Sequence, residues 1–337
     1  MGETSFDLRA ALARLHGRGR LLILTHDNPD PDSIACALGL QLVVATAGIE
    51  STLGVGGIIG RAENRAMVRE LGIELQPIET LAADDFPLIA LVDTQPGTGN
   101  NSLFPGRSCD IVIDHHAARE LSHASPWCDI REEAGASCMI AWKYLHELGI
   151  TLDKRMATAF LYALKSETRD LGREAGAEEA EAYIELLHRA DLVKMHAIVN
   201  PKLGREHFAA VDRAIRGASV RGEMVTVNLG PLEYPDLVAE VADMLLSYEA
   251  ARWVLCAGVH RSILVLSVRT DITTARAGEL IRRIIGPEGA GGGHGMIAGG
   301  RFRTIVHTPE EIDALYQRLI ARFAEELGIT GESRPLI

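Results

Sequence analysis

Three short aliphatic runs, residues 21–24, 88–92 and 111–113, each lead into aspartate, the first and third with histidine beside it. A short, purely apolar run bounded by polar turn residues reads as a strand buried on both faces, as in a parallel sheet. The polar clusters that follow are His26-Asp27-Asn28-Pro29-Asp30-Pro31-Asp32, then Asp93, then Asp114-His115-His116. In an open parallel α/β sheet, ligands bind outside the carboxyl ends of the strands. Acids gathered at those ends therefore argue for one site rather than for scattered surface charge.

Helix signals alternate with the strands, at residues 33–42, 61–71 and 134–148, the last opening on the small residues Gly135, Ala136 and Ser137. That alternation predicts an α/β fold with a doubly wound parallel sheet over residues 1–187. From about Ala175 the chain turns Glu- and Ala-rich, and Asn200-Pro201 interrupts it, so residues 188–216 read as a helical linker. Residues 217–337 read as a smaller mixed-sheet α/β domain. Its expected strands are 224–227, 253–257 and 263–268, and its expected helices 237–246, 277–285 and 310–327, with a glycine-rich loop before the last.

The net charge of -12 over 337 residues supplies no basic field for long DNA or RNA, while leaving a short nucleotide open. No apolar run reaches the roughly 18 to 20 residues of a membrane span, and residues 1–6 lack a signal-peptide layout, so a cytoplasmic protein is expected. The five cysteines are odd in number and show no CxxC spacing, which suits reduced core thiols. A ligand set of histidine and carboxylate without thiolate suits Mn²⁺, with Mg²⁺ or Co²⁺ as substitutes. Four carboxylates in one small site carry -4, which two divalent ions would offset. Two such ions are the arrangement that activates water against a phosphate ester.

HDNPDPDS, VDT, DHH and GGGH follow one another along the chain. In that order of motifs the sequence resembles the DHH superfamily of phosphoesterases, specifically the two-domain branch of nano-RNase type (oligoribonuclease and pAp-phosphatase), whose DHH-associated C-terminal domain carries GGGH. The resemblance implies that His26, Asp30 and Asp93 hold one ion. Asp32, Asp93, His115 and a later carboxylate would hold a second, with Asp93 bridging. The later carboxylate is usually Asp in relatives; here Glu167 takes its place, with Asp170 the alternative. His116 would contact the phosphate and assist the leaving oxygen, and Asp114 would orient the motif. Ser267 and Arg269, with Gly291, Gly292, Gly293 and His294, would hold the substrate.

The expected activity is therefore metal-dependent hydrolysis of short oligoribonucleotides or pAp-like nucleoside bisphosphates by two-metal activation of a water. A cyclic or linear dinucleotide phosphodiesterase is the alternative, and a nucleotide-binding regulator with a degenerate metal site is the non-enzymatic one. Pyrophosphatase activity ranks lower, because relatives with it carry a different C-terminal domain. The expected partners are a short RNA or nucleotide, with no long nucleic acid and no membrane, and both monomer and homodimer stay open.

Overall fold

A computed structural model of the chain describes residues 6–305 and 308–337, apart from the side chains of His294 and of residues 303–305. The chain divides into two compact units, Met1–Pro201 and Lys202–Ile337.

The first unit is built on six parallel strands: β1 (Leu21–Leu24), β2 (Ser51–Val55), β3 (Gln76–Pro77), β4 (Leu88–Val92), β5 (Ile111–Asp114) and β6 (Trp127–Ile130). Its helices are α1 (Leu8–Leu15), α2 (Pro31–Ala45), α3 (Ala62–Leu71), α4 (Ser137–Glu147), α5 (Lys154–Glu167), α6 (Ala177–Arg189) and α7 (Leu192–Val199). The expected parallel α/β sheet is present, in the order β3-β2-β1-β4-β5-β6. Alternate residues explain why the central strands are apolar throughout. Leu21, Ile23, Ala90, Ile111 and Ile113 pack with α1, α2, α4 and α5, while Leu22, Leu24, Ile89, Leu91 and Val112 pack under Ile78, Phe86, Leu103 and Phe104.

Strand order decides where a ligand can sit. The chain leaves β1 toward β2 and β3, then returns to the other side of β1 as β4, so the order reverses between β1 and β4. A crevice opens at such a reversal, beyond the carboxyl ends of the two strands. His26 to Asp32 follow β1, and Asp93 is the residue after β4.

The residues expected to form a linker are shared between the units. In the first, α7 packs on α3 and α5 and buries Met195 and Ile198. In the second, α8 (Arg205–Gly217) leads into β7 (Ser219–Arg221) and β8 (Met224–Pro231). Then come α9 (Leu237–Leu245), β9 (Trp253–His260), β10 (Ile263–Thr270), α10 (Ala277–Ile285), β11 (Gly289–His294), β12 (Ile297–Ile305), α11 (Pro309–Leu327) and β13 (Arg334–Pro335). The sheet is mixed, in the order β11-β12-β10-β9-β8-β7-β13, with β8 and β9 its parallel pair. Leu264, Leu266 and Val268 of β10 face α10 and α11 in its core.

One expectation is corrected here. The glycine-rich segment is not a loop: Gly289–His294 is a strand, paired antiparallel with β12 from Gly289↔Phe302 to His294↔Ile297. Its lack of side chains is a packing requirement of α10. A Cβ on Gly300 would stand 2.3 Å from Ile285 Cδ1, and one on Gly278 would stand 1.9 Å from the Gly293 carbonyl oxygen. Glycine at these positions lets the buried face of α10, Leu280, Ile281, Ile284 and Ile285, lie directly on the hairpin.

Candidate metal centre

His26 and Asp30 are positioned by the turn between β1 and α2. Asp30 is the N-cap of α2: its Oδ1 accepts from the Ser33 amide at 2.9 Å, and Pro31 starts the first turn. The His26 Nδ1 donates to the Asp27 carbonyl at 3.0 Å. Its Nε2 then faces Asp93 Oδ2 at 3.5 Å and Asp30 Oδ1 at 3.6 Å.

Asp93 adopts a left-handed backbone with φ of 57°, a conformation that aspartate tolerates better than most residues. Its amide still bonds to the Ile113 carbonyl at 2.8 Å, so the turn begins where the sheet ends. The carboxylate is buried and divided between two sides. Oδ2 looks at His26, while Oδ1 accepts from Ser137 Oγ at 2.8 Å and lies 3.8 Å from His115 Nε2.

His115 repeats the arrangement of His26, donating Nδ1 to the Ala134 carbonyl at 3.1 Å and turning Nε2 toward Asp93. A carbonyl on one ring nitrogen fixes the tautomer that leaves the other as a metal donor. Two donors about 2.1 Å from a shared ion lie roughly 3.0 to 3.5 Å apart, close to these separations. Two groups of donors result, His26 with Asp30 and Asp93, and Asp93 with His115 and His116, and Asp93 belongs to both. Of these, His26, Asp30, Asp93 and His115 fit a divalent ion.

His116 is set differently. Its Nδ1 donates to Asp114 Oδ1 at 2.8 Å, and Asp114 also accepts from the amides of His115 and His116 and from Gln95 Nε2. Asp114 is thus saturated by protein donors, in keeping with an orienting role.

Residues 20–164 match the DHH family, N-terminal domain. The first unit is a DHH-family domain. The chain is 32% identical over 321 residues to an uncharacterized protein of Methanocaldococcus jannaschii, matching 93% of this chain and 65% of that one, so it spans less than two thirds of that relative's length. It is 25% identical over 237 residues to a probable manganese-dependent inorganic pyrophosphatase of Lactobacillus helveticus, covering 68% of this chain and 76% of that protein. Its fold is that of an exopolyphosphatase-related protein from Bacteroides fragilis, with a TM-score of 0.72 at 14% identity over 95% of this chain and 98% of the other.

The electrostatics of the DHH domain are those of a cation site. Burial opposes a charge on His26, but Asp30 and Asp93 outweigh it and hold the imidazole well above its ordinary value. Burial likewise opposes His115, and Asp93 and Asp32 raise it. Asp32 is pushed up to about 8, first by burial and then by Asp93. The metal-free site therefore holds protons at neutral pH that an ion must displace. We expect Mn²⁺ binding at pH 7 to release at least one proton, and affinity to fall as pH is lowered from 8 to 6. Calorimetry in buffers of different ionisation enthalpy measures this; a buffer-independent enthalpy would contradict it.

Other expected residues of the DHH domain have oxygens engaged by the protein. Asp32 is buried in the first turn of α2, where Oδ2 accepts from the Ser137 amide at 2.7 Å and Oδ1 from that of Cys138 at 2.8 Å. It thus caps α4, whose positive end offsets part of the acid cluster. Glu167, at the end of α5, lies in the field of Asp30, His115 and Asp93 and is paired to Arg173 at 3.0 Å. Asp170 is mostly exposed and paired to Lys165. Of these two carboxylates, Glu167 is the one within the cluster.

Two buried residues that support the site were not anticipated. Gln95 donates to Asp114 and to the Ala117 carbonyl, and its Oε1 accepts from the Arg119 amide and Ser122 Oγ, so it fixes the DHH loop. Ser137 holds both Asp93 and Asp32. The signals were slight: a glutamine two residues after Asp93, and a serine opening a helix.

In the second unit, Ser267 and Arg269 share one face of β10. Ser267 Oγ is buried with no hydrogen-bond partner among the described residues, next to Gly299 in register. Arg269 donates Nε to Asp243 at 2.8 Å. Gly292, on the row of Gly299, has open space where a Cβ would be, whereas Gly291 and Gly293 crowd against neighbours. The side chain of His294 lies outside the described residues.

Proposed function

We propose that the chain is a metal-dependent phosphoesterase, using Mn²⁺, that hydrolyses short oligoribonucleotides or pAp-like nucleoside bisphosphates. The observation that carries the metal-dependent part is Asp93, whose two oxygens serve two histidine-containing donor groups at the strand-order reversal. A pair of divalent ions there would supply water activation at neutral pH and neutralise phosphate charge. His26, Asp30 and Asp93 would hold one, and Asp93, His115 and Glu167, with a remaining lone pair of Asp32, the other.

The chain's own groups cover the rest. Burial opposes a charge on His116, but Asp114 and Asp93 raise it to about 10, so it is cationic at neutral pH. Its side chain is 43% exposed, so it can meet a phosphate oxygen or donate a proton to the departing one. The Ser267 hydroxyl, without a partner among the described residues, and the open backbone at Gly292 are suited to an anionic group. The nucleotide preference is supported by the order of the four motifs and by the absence of net positive charge for a long polymer.

A second reading, inorganic pyrophosphatase, is favoured by the match to the Lactobacillus helveticus protein. One screen separates them: purified protein with Mn²⁺ against dinucleotides, short oligoribonucleotides, pAp, cyclic dinucleotides and pyrophosphate. The expected result is highest kcat/KM on the short linear RNAs or pAp. Preference for pyrophosphate or a cyclic dinucleotide would overturn the substrate assignment, and inactivity on all five would favour a binding protein.

A further inference from the structure

Glu167 shares its place in the acid cluster with a cation from its own chain. Arg173 is 6% exposed, and its guanidinium donates to Glu167 Oε1 at 3.0 Å and to the Glu167 carbonyl. Its Nε is buried with no partner among the described residues. A buried guanidinium with one donor unsatisfied costs free energy, so the surrounding structure must hold it there.

The loop after α5 is built to do so. Arg169, Asp170, Leu171 and Glu174 all have positive φ, between 48° and 66°, a run that non-glycine residues adopt only when their surroundings impose it. Thr168 anchors the loop from inside: its carbonyl accepts from the Arg173 amide at 2.9 Å and its Oγ1 from the Leu171 amide at 3.0 Å. Asp170 is tied to Lys165 and accepts from Tyr183 at 3.2 Å.

We infer that Arg173 is a built-in counter-ion that makes the two metal positions unequal. The inference rests on the metal-dependent reading above. Among the described residues Asp30 pairs with His26 and with no lysine or arginine, whereas an ion on the His115 side that took Glu167 would have to draw it from Arg173 and lie near its charge. Guanidinium and divalent ion compete for one carboxylate, and each weakens the other through the field in a poorly solvated site. The first ion is then resident, and the second is bound weakly.

Titration of the metal-free protein with Mn²⁺, read by calorimetry and by the electron spin resonance of free Mn²⁺, tests this without an activity assay. The wild-type protein should show a tight step and a step at least about 10-fold weaker, and Arg173→Met should tighten the weak step about 10-fold while leaving the tight one unchanged. Should Arg173→Met fail to fold by circular dichroism, Arg173→Gln, whose amide can still donate to Glu167, should show the same tightening. Arg173→Lys keeps the charge and should keep the inequality. Two equal wild-type steps, or a weak step that the neutral variants leave unchanged or weaken further, would overturn the inference, the last by making Arg173 a support for Glu167. Absence of any tight step in the wild-type protein would overturn the metal-dependent reading itself, and this inference with it.

Discussion

Asp93→Ala is expected to lower kcat/KM for phosphate-ester hydrolysis by roughly 10³-fold or more and to deplete bound metal in parallel. The size of the effect follows from position. Asp93 is common to both donor groups, with Oδ2 3.5 Å from His26 Nε2 and Oδ1 3.8 Å from His115 Nε2. Its removal would take a ligand from each of the two proposed ions, where loss of His26 or His115 would affect one. Because φ at this residue is 57°, Asp93→Asn is the better-folded control, since asparagine accepts the left-handed conformation and can still accept from Ser137. We expect Asp93→Asn to stay folded by circular dichroism, to retain less metal, and to remain nearly inactive. Near wild-type kinetics with full metal content in either variant would remove the bridging role.

His116→Ala should separate chemistry from metal binding. The Nδ1 of His116 is committed to Asp114, which Gln95 and two backbone amides hold in place, so this nitrogen is not free to serve an ion. The expected effect is a fall in kcat of about 10²- to 10³-fold with unchanged Mn²⁺ content. The cationic form of a histidine raised by its partners is fully present below its ordinary value of about 6.5 and is lost as pH rises through its raised one. The His116–Asp114 pair of the metal-free protein should therefore persist across neutral pH and weaken near pH 10, where His116 titrates. Nuclear magnetic resonance of the imidazole follows this directly. Loss of metal from His116→Ala in proportion to activity would reassign it as a ligand.

The core of the first unit was legible because β1 and β4 are aliphatic throughout and β5 is aliphatic up to Asp114, so that burial on both faces leaves its mark along each run. The strands β2 and β6 escaped because Thr52, Gly54 and Asp129 break the apolar run, and β3 is too short to carry a pattern. The glycine-rich strand was misread for a related reason. Residues without side chains show no alternation, and the packing of α10 that requires them is visible only in three dimensions.

At the site, His26, Asp30, Asp93 and His115 were readable because each sits within a short motif at the end of a strand. Gln95, Ser137 and Arg173 were not, since a lone polar residue becomes meaningful only when folding brings it to a carboxylate. The same limit applied to the choice between Glu167 and Asp170. Three residues apart, they differ in burial and in partner, and sequence spacing carries neither.

The most direct test of the account is kcat/KM with Mn²⁺ on a series of oligoribonucleotides lengthening from the dinucleotide. A net charge of -12 gives the chain no overall basic field to favour a long polyanion, so the value should be highest for the shortest substrates and fall steeply beyond a few nucleotides. Efficient, processive digestion of long single strands would contradict the account and describe a general exonuclease instead.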